Sequence, residues 1–362
     1  MRSGKEALMG YSKEQPDSLQ RSVSDSGSRG LRVVAIGGGT GLSTLLKGLK
    51  WFVSAAADKP TFPEPRKPEI ADLSAVVTVS DDGGSSGRLR KEFNMLPPGD
   101  VRNCIVALSE DEALLSKLFQ HRFVKGSGLE GHSFGNLFLA ALTSITKDFS
   151  EAVRLSSEIL VTRGHIYPAT TSNVELEALM DDGTRVRGET KITASKGRIK
   201  ELFLVPPDVE PLPQTLEAIA RADLITIGPG SLFTSLIPNL LVHGIAKAIA
   251  SSRATKVYIC NLMTQANESL GRSAADHIRA LNKHAQAQIF DYALLNNAPI
   301  SDQLKAKYAL EGAAQVVVDE EAIRELGVTP VLGDYLDEGE VARHDTRRIA
   351  EDLMELVLHK HV

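Results

Sequence analysis

Read along the chain, the first patterned stretch begins at Leu31, where the continuous apolar run LRVVAI leads straight into GGGTGLSTLLKGLK. A short apolar run bounded by glycines reads as a buried strand, and the leucines beyond it recur at helical spacing. The chain thus opens as strand, glycine loop and helix. LSAVVTVS over 73–80 predicts a second strand, and DLITI, KVYIC, QIFDYALL and AQVVVD predict further ones, alternating with amphipathic stretches such as AADHIRALNKHA. Between them DDGGSSGRLRKEFNMLPPGD reads as a long polar connection ending at Asp100. There Asp100 is placed as an N-cap, with Val101, Ile105 and Leu108 on one buried stripe. Helices are predicted over Leu114–Phe119, Ser133–Leu142, Phe149–Leu160, Leu216–Ala220 and Arg347–Leu358.

Buried strands alternating with amphipathic helices predict an α/β fold, a three-layer Rossmann-like mostly parallel sheet. The pattern changes over 160–205, where YPAT, MDDGTRV and SKGRIKELFLVP are strand-like pieces separated by turns. This predicts a small β-rich elaboration of a main unit spanning 31–345, with a C-terminal helix over 346–362. Residues 1–30 are polar and serine-rich, and 54–70 concentrate prolines that suit neither a central strand nor a helix. They read as a disordered N-terminal extension and a surface insertion.

Composition narrows the classes. The 362 residues carry 41 Lys+Arg against 46 Asp+Glu, a formal net charge of −5, which disfavours a general nucleic-acid binder. The apolar runs are too short to insert in a membrane. Two cysteines, Cys104 and Cys260, are too few for a disulfide scaffold or a zinc cluster, so a reducing cytoplasmic location is expected.

The chemistry concentrates in loops at predicted strand ends. Gly38, Gly39, Thr40 and Gly41 allow a phosphate or sugar to approach backbone donors at the following helix start, or simply make a tight turn. Lys47 falls too late for a Walker lysine, which disfavours ATP hydrolysis. Asp81 and Asp82 can hold Mg²⁺ or orient a sugar hydroxyl, with Gly84 leaving room and Ser85 beside them. Arg102 and Asn103 offer a phosphate partner and a donor–acceptor pair. His132 and Asn136, in GHSFGN, stand at a predicted helix start, with an oriented structural histidine as the alternative. Gly228, Gly230 and Ser231 repeat the strand-to-glycine-loop pattern, and Asn261, Thr264 and Gln265 follow the strand KVYIC. In an open α/β sheet such loops converge on one crevice at the carboxyl ends of the strands. No GxSxG elbow, HExxH site or cysteine-nucleophile motif is present, so hydrolase readings are weak.

GGGTGLSTLLKGLK, VSDDGGSSGRLR, MLPPGDVRNCIVAL, GHSFGNLFLAAL, ADLITIGPGSLFTSLIPNLL and YICNLMTQANES followed by AADHI together closely resemble the YvcK branch of the CofD-like family, the gluconeogenesis factors. The resemblance implies a nucleotide-sugar-binding factor. UDP-N-acetylglucosamine or another UDP-sugar is the leading ligand, linking carbon flux to cell-wall synthesis and cell shape. It implies that Asp81 and Asp82 face diphosphate and metal, and that the 228–231 loop and Asn261 face the nucleotide. Where the branch has an aromatic residue before ADH to stack on uracil, this chain has Arg272, and Arg343 resembles a late base-contacting arginine. The alternatives are a Mg²⁺-dependent phospholactyl transferase, as in related CofD enzymes, and a structural partner with a vestigial pocket. A homo-oligomer and a wall-synthesis or regulatory protein are the expected partners.

Overall fold

Glycine loops at strand ends, rather than long polar connections, shape this molecule. The computed structural model describes residues 30–53, 69–110, 114–195, 197–266 and 268–360. The N-terminal extension and nearly all of the proline-rich insertion lie outside them. Strand β1 (Leu31–Gly37) runs into helix α1 (Gly39–Lys50), and β2 (Ile70–Val77) pairs with β1 in parallel. Contrary to the sequence reading, the polar stretch after β2 is not all connection. It forms helix α2 (Gly84–Phe93), whose Ser85, Ser86, Leu89 and Arg90 are buried, a face that glycine and serine propensities hide. Helix α3 (Gly99–Leu108) follows with Val101, Ile105 and Leu108 fully buried, as the spacing predicts. Asp100 is not its N-cap. Pro98 holds that position, and Asp100 sits in the first turn.

Helices α4 (Leu114–Gln120), α5 (Phe134–Thr146) and α6 (Phe149–Ile159) then lead to β3 (His165–Pro168). Ser133 caps α5 by accepting from Asn136 N at 3.3 Å, which fixes where this apolar helix starts. β3 belongs to the main sheet beside β2, not to the elaboration. The elaboration itself comprises β4 (Glu175–Met180), β5 (Arg185–Arg187), the short helix α7 (Glu189–Ala194) and β6 (Ile199–Val205). Its antiparallel sheet has the order β5-β4-β6. Along β4 buried and half-buried residues alternate, the signature of a sheet with one covered face.

Helix α8 (Pro213–Arg221) returns the chain to β7 (Leu224–Ile227). A π-type turn over Leu232–Leu236 continues into α9 (Ile237–Leu241) and α10 (Ile245–Ser251). Strand β8 (Thr255–Ile259), helix α11 (Ala274–Ala285), β9 (Tyr292–Asn296), α12 (Asp302–Ala309) and α13 (Glu320–Glu325) follow. The next strand is β10 (Thr329–Gly333). AQVVVD is therefore not a sheet strand, and a single bridge from Gln315 to Met263 is its only β pairing among the described residues. The hairpin β11 (Leu336–Glu338) and β12 (Ala342–His344) precedes helix α14 (Thr346–Lys360), which packs on α1.

The main sheet is parallel throughout, in the order β10-β9-β8-β7-β1-β2-β3, with helices flanking it. Strand order reverses at β1, which lies between β2 and β7. The crevice of such a sheet opens at the carboxyl end of this switch point. A second, separate apolar cluster of Leu262, Met263, Ile300 and Leu304, with Tyr308, Leu336 and Ala342 against it, joins the loop after β8 to α12 and the hairpin. Among the described residues no single helix is long and apolar enough to cross a membrane.

Candidate functional site: a cleft at the switch point of the sheet

A cleft of about 730 Å³ opens where β1, β7 and β8 end. Gly38, Gly39, Thr40 and Gly41 form one wall, and Pro229, Gly230 and Ser231 form the facing one. These walls touch closely. A Cβ on Gly41 would overlap the Pro229 carbonyl oxygen and lie 3.0 Å from Gly230 Cα, and one on Gly38 would lie 2.9 Å from Asp100 Oδ2. Gly228 has φ +90°, a left-handed backbone that glycine tolerates, and a side chain there would meet the Ile259 carbonyl.

The amide of Asn261 holds the second wall in place: Gly230 N donates to Asn261 Oδ1 at 3.1 Å, and Asn261 Nδ2 donates to Gly230 O at 2.8 Å. Gln265 Nε2 donates to Ser231 Oγ at 3.0 Å. Thr264 lines the cleft while its hydroxyl accepts from Ala314 N at 2.9 Å. Of the residues proposed from sequence, the cleft thus gathers Gly38, Gly39, Thr40, Gly41, Asp81, Gly230, Ser231, Asn261, Thr264 and Gln265.

The two aspartates diverge. Asp81 faces the cleft and accepts from Gly83 N at 2.8 Å. Asp82 turns to the elaboration, accepting from Thr190 N at 2.9 Å and Thr190 Oγ1 at 2.5 Å. It therefore anchors the start of α7. Ser85, His132 and Asn136 form a buried cluster behind the cleft: Ser85 Oγ lies 2.9 Å from His132 Nδ1 and accepts from Asn136 Nδ2 at 3.1 Å. Burial lowers the His132 pKa. Arg102 joins this cluster through Ser133 Oγ and Asn103 Oδ1, each at 2.6 Å. Gly84, with φ +46°, only turns the chain into α2.

Arg272 and Arg343 do not line the cleft. Arg272 Nη2 donates to Ile199 O at 2.8 Å, and its guanidinium stands 5.1 Å over the Phe233 ring. Arg343 is exposed on β12, whose neighbours Ala342 and His344 do line the cleft, as strand alternation requires.

Several lining residues escape the sequence reading. Tyr308 is the single phenol or phenyl ring in the lining, and its OH accepts from Ala342 N at 3.2 Å. Asp100, Glu189, Thr193 and Glu311 also line it. Burial raises Asp100 to about 6, with Asp81 adding to the shift while a Gly39 N–H bond opposes it. Burial, then Asp81 and Asp100, raise Glu189 to about 9. Thus four carboxyl groups and no lysine or arginine line the cleft among the described residues. No three His, Cys, Asp or Glu side chains among them form a group able to hold a metal ion by themselves.

The family model for 2-phospho-L-lactate transferase CofD matches residues 33–336. The chain belongs to the CofD-like family. Within that family it is similar to the gluconeogenesis factors. It is 51% identical over 325 residues to that of Halalkalibacterium halodurans, covering 89% of this chain and 95% of the relative. It is 47% identical over 327 residues to that of Bacillus subtilis, covering 90% and 98%. A crystal structure of a Bacillus halodurans protein superposes with a TM-score of 0.84 at 49% identity, over 90% of this chain and 100% of that one. The match to the CofD family reaches every strand that contributes to the cleft except β12.

Proposed function

We propose that this CofD-like protein binds a nucleotide sugar in the cleft, UDP-N-acetylglucosamine being the leading ligand, and acts as a regulatory factor linking carbon metabolism to cell-wall synthesis and cell shape. The observation that carries the ligand class is the composition of the cleft. Apposed glycine loops expose backbone at strand ends, amide side chains hold the loops, and one phenol ring, Tyr308, lines the cleft. The N–H groups of the first turn of α1, which no side chain caps, suit a diphosphate. The Tyr308 ring offers a face to a base, and Thr193 and Glu189 offer hydroxyl and carboxyl partners to a sugar.

Charge sets a further condition. A diphosphate entering a lining with Asp81, Asp100, Glu189 and Glu311 and no basic side chain needs compensating positive charge. Burial and neighbouring carboxylates raise the pKa values of Asp100 and Glu189, Arg102 offsetting only part of the shift at Asp100, so the donor set fits a divalent cation shared with ligand phosphates. Asp81 and Asp100 are the residues that would hold Mg²⁺, which would supply charge neutralisation on the diphosphate. Asp82 is committed to Thr190 and is not assigned as a ligand.

Calorimetric titration with UDP-N-acetylglucosamine, UDP-glucose, GDP and NAD, each with and without Mg²⁺, tests the reading. Selective, Mg²⁺-strengthened UDP-sugar binding with the sugar recovered intact is the expected result. Preferential GDP binding refutes it and directs attention to the transferase reading, which the CofD match supports. That reading predicts product from an activated phospholactyl donor and a deazaflavin acceptor.

A further inference from the structure

Behind the π-type turn a second cavity, of about 220 Å³, lies between β6 and α11, apart from the cleft. Lys200, Arg272, Arg279 and Lys283 line it with one acidic residue, Asp276, and its apolar wall is Phe233. Asp276 is already occupied: it pairs with Arg279 at 2.9 Å and closes the capping box with Ser273. Lys283 lies 3.7 Å from Glu201 and donates to Lys200 O at 3.0 Å. Among the described residues Arg272 makes no direct ion pair, Asp276 and Asp181 acting on it only beyond ion-pair distance, and no ion pair engages Lys200. Arg272 is half-buried, flattened on Phe233 and satisfied by one carbonyl, with burial and the nearby Arg198 lowering its pKa.

Keeping an arginine partly desolvated without an anion is unfavourable, and stacking on an aromatic face fixes the guanidinium in the plane that a bidentate oxyanion requires. The surplus of positive charge in a concave space, with an aromatic floor, is the composition of a phosphate-recognition site. We infer that this cavity binds a phosphate group, free or as the monoester of a small polyol, with Arg272 and Lys200 as its principal partners.

The cavity shares two walls with the cleft. In the π-type turn Phe233 faces the cavity, while Thr234 and Ser235 face the cleft. In the loop after β8, Gln265 lines the cleft and Arg272 lines the cavity. Glu268, in the same loop, accepts from Thr234 Oγ1 at 2.6 Å and Phe233 N at 3.4 Å, tying the two walls together. A phosphate drawn to Arg272 therefore bears on the loops that shape the cleft, and the two occupancies are linked.

Phosphorus NMR and calorimetry on the full chain, with inorganic phosphate and with glycerol 1-phosphate as separate probes, test the site. Saturable binding of at least one probe is expected, weakened about tenfold or more by Arg272→Gln and by Lys200→Glu, and unaffected by Lys147→Gln on the far helices. Lys200 is exposed, so its variant keeps the test open if the loss of the Phe233 stack unfolds the other. Tighter glycerol 1-phosphate binding identifies the monoester as the ligand, and equal binding identifies the bare phosphate. Absence of binding by both probes, or binding retained in both cavity variants, overturns the site. Binding abolished by saturating UDP-N-acetylglucosamine but not by Arg272→Gln places the phosphate in the cleft and overturns it equally. An unchanged UDP-sugar affinity in saturating phosphate overturns the linkage. The phosphate titration needs no ligand in the cleft, so its failure and failure of the nucleotide-sugar reading are separate results.

Discussion

Replacing Gly41 by alanine sets two magnitudes against each other. Within a helix, alanine is favoured over glycine by about 1 kcal/mol, so secondary structure alone predicts a more stable protein. Packing predicts the reverse. The new Cβ would overlap the Pro229 carbonyl oxygen and stand 2.7 Å from the Pro229 carbonyl carbon and 3.0 Å from Gly230 Cα. The carbon contact is about 0.7 Å inside ordinary van der Waals separation, and the obstacle is backbone that no rotamer change can move aside. Overpacking of this kind costs about 3 kcal/mol, leaving a net loss of about 2 kcal/mol. The helix start and the loop after β7 must part, carrying the two facing glycine walls out of register, so UDP-sugar affinity should fall about tenfold or more. Gly48→Ala is the matched control. Its Cβ would meet the Thr346 carbonyl group, with the carbon at 2.8 Å, two turns further along the same helix at a residue that does not line the cleft. Both variants should melt earlier in thermal denaturation, and only Gly41→Ala should lose ligand in calorimetry. A Gly41→Ala protein as stable as the parent, with parental affinity, would refute the close contact between the two loops.

Three further outcomes follow from the same geometry. Asn261→Leu removes both bonds to Gly230, and with about 1–3 kcal/mol at stake for each orphaned group, UDP-sugar binding in calorimetry should drop about tenfold. Parental affinity would show that the loop keeps its shape without the amide. Tyr308→Leu should weaken UDP-sugar binding about fivefold or more, since stacking on a base contributes about 1–3 kcal/mol, whereas Tyr308→Phe, which keeps the ring, should bind close to the parent. Parental affinity in Tyr308→Leu would remove Tyr308 from the base site. His277 is fully buried beside Tyr258, and burial lowers its pKa from 6.5 to about 4. The unfolded chain therefore binds the proton first as pH falls. This contribution to stability is complete above pH 6.5 and declines by up to about 3 kcal/mol as pH approaches 4. Urea unfolding of parent and His277→Gln at several pH values should converge toward low pH, and a pH-independent gap would contradict the assignment.

Much of the arrangement is legible in residue order. The apolar runs that begin β1, β7 and β8 are unambiguous, and the glycine loops that follow two of them mark the cleft. Helix α2 was hidden because its buried face is made partly of Ser85, Ser86 and Arg90, polar types that periodicity arguments count as exposed. AQVVVD misled for the opposite reason: its valines are strand-like, yet the chain there serves the loop after β8, and Val317 is exposed. Adjacency also misled. Asp81 and Asp82 are neighbours in sequence, but successive side chains of an extended segment point apart, so one reaches the cleft and the other holds Thr190 in the first turn of α7. Asp100, Glu189 and Tyr308 come from three distant segments and become one site only through the topology of the sheet and its two satellites. Local sequence carries no signal of that convergence.

The wall made by Ala342 and His344 is held by what surrounds it, since α14 starts two residues later and lies against α1, the first helix among the described residues. A growing chain can therefore complete the glycine loops and most of the sheet while the cleft still lacks one side. A chain shortened before residue 342 would keep every strand of the parallel sheet, since β10 ends at Gly333, and yet present an open trough in place of a walled cleft.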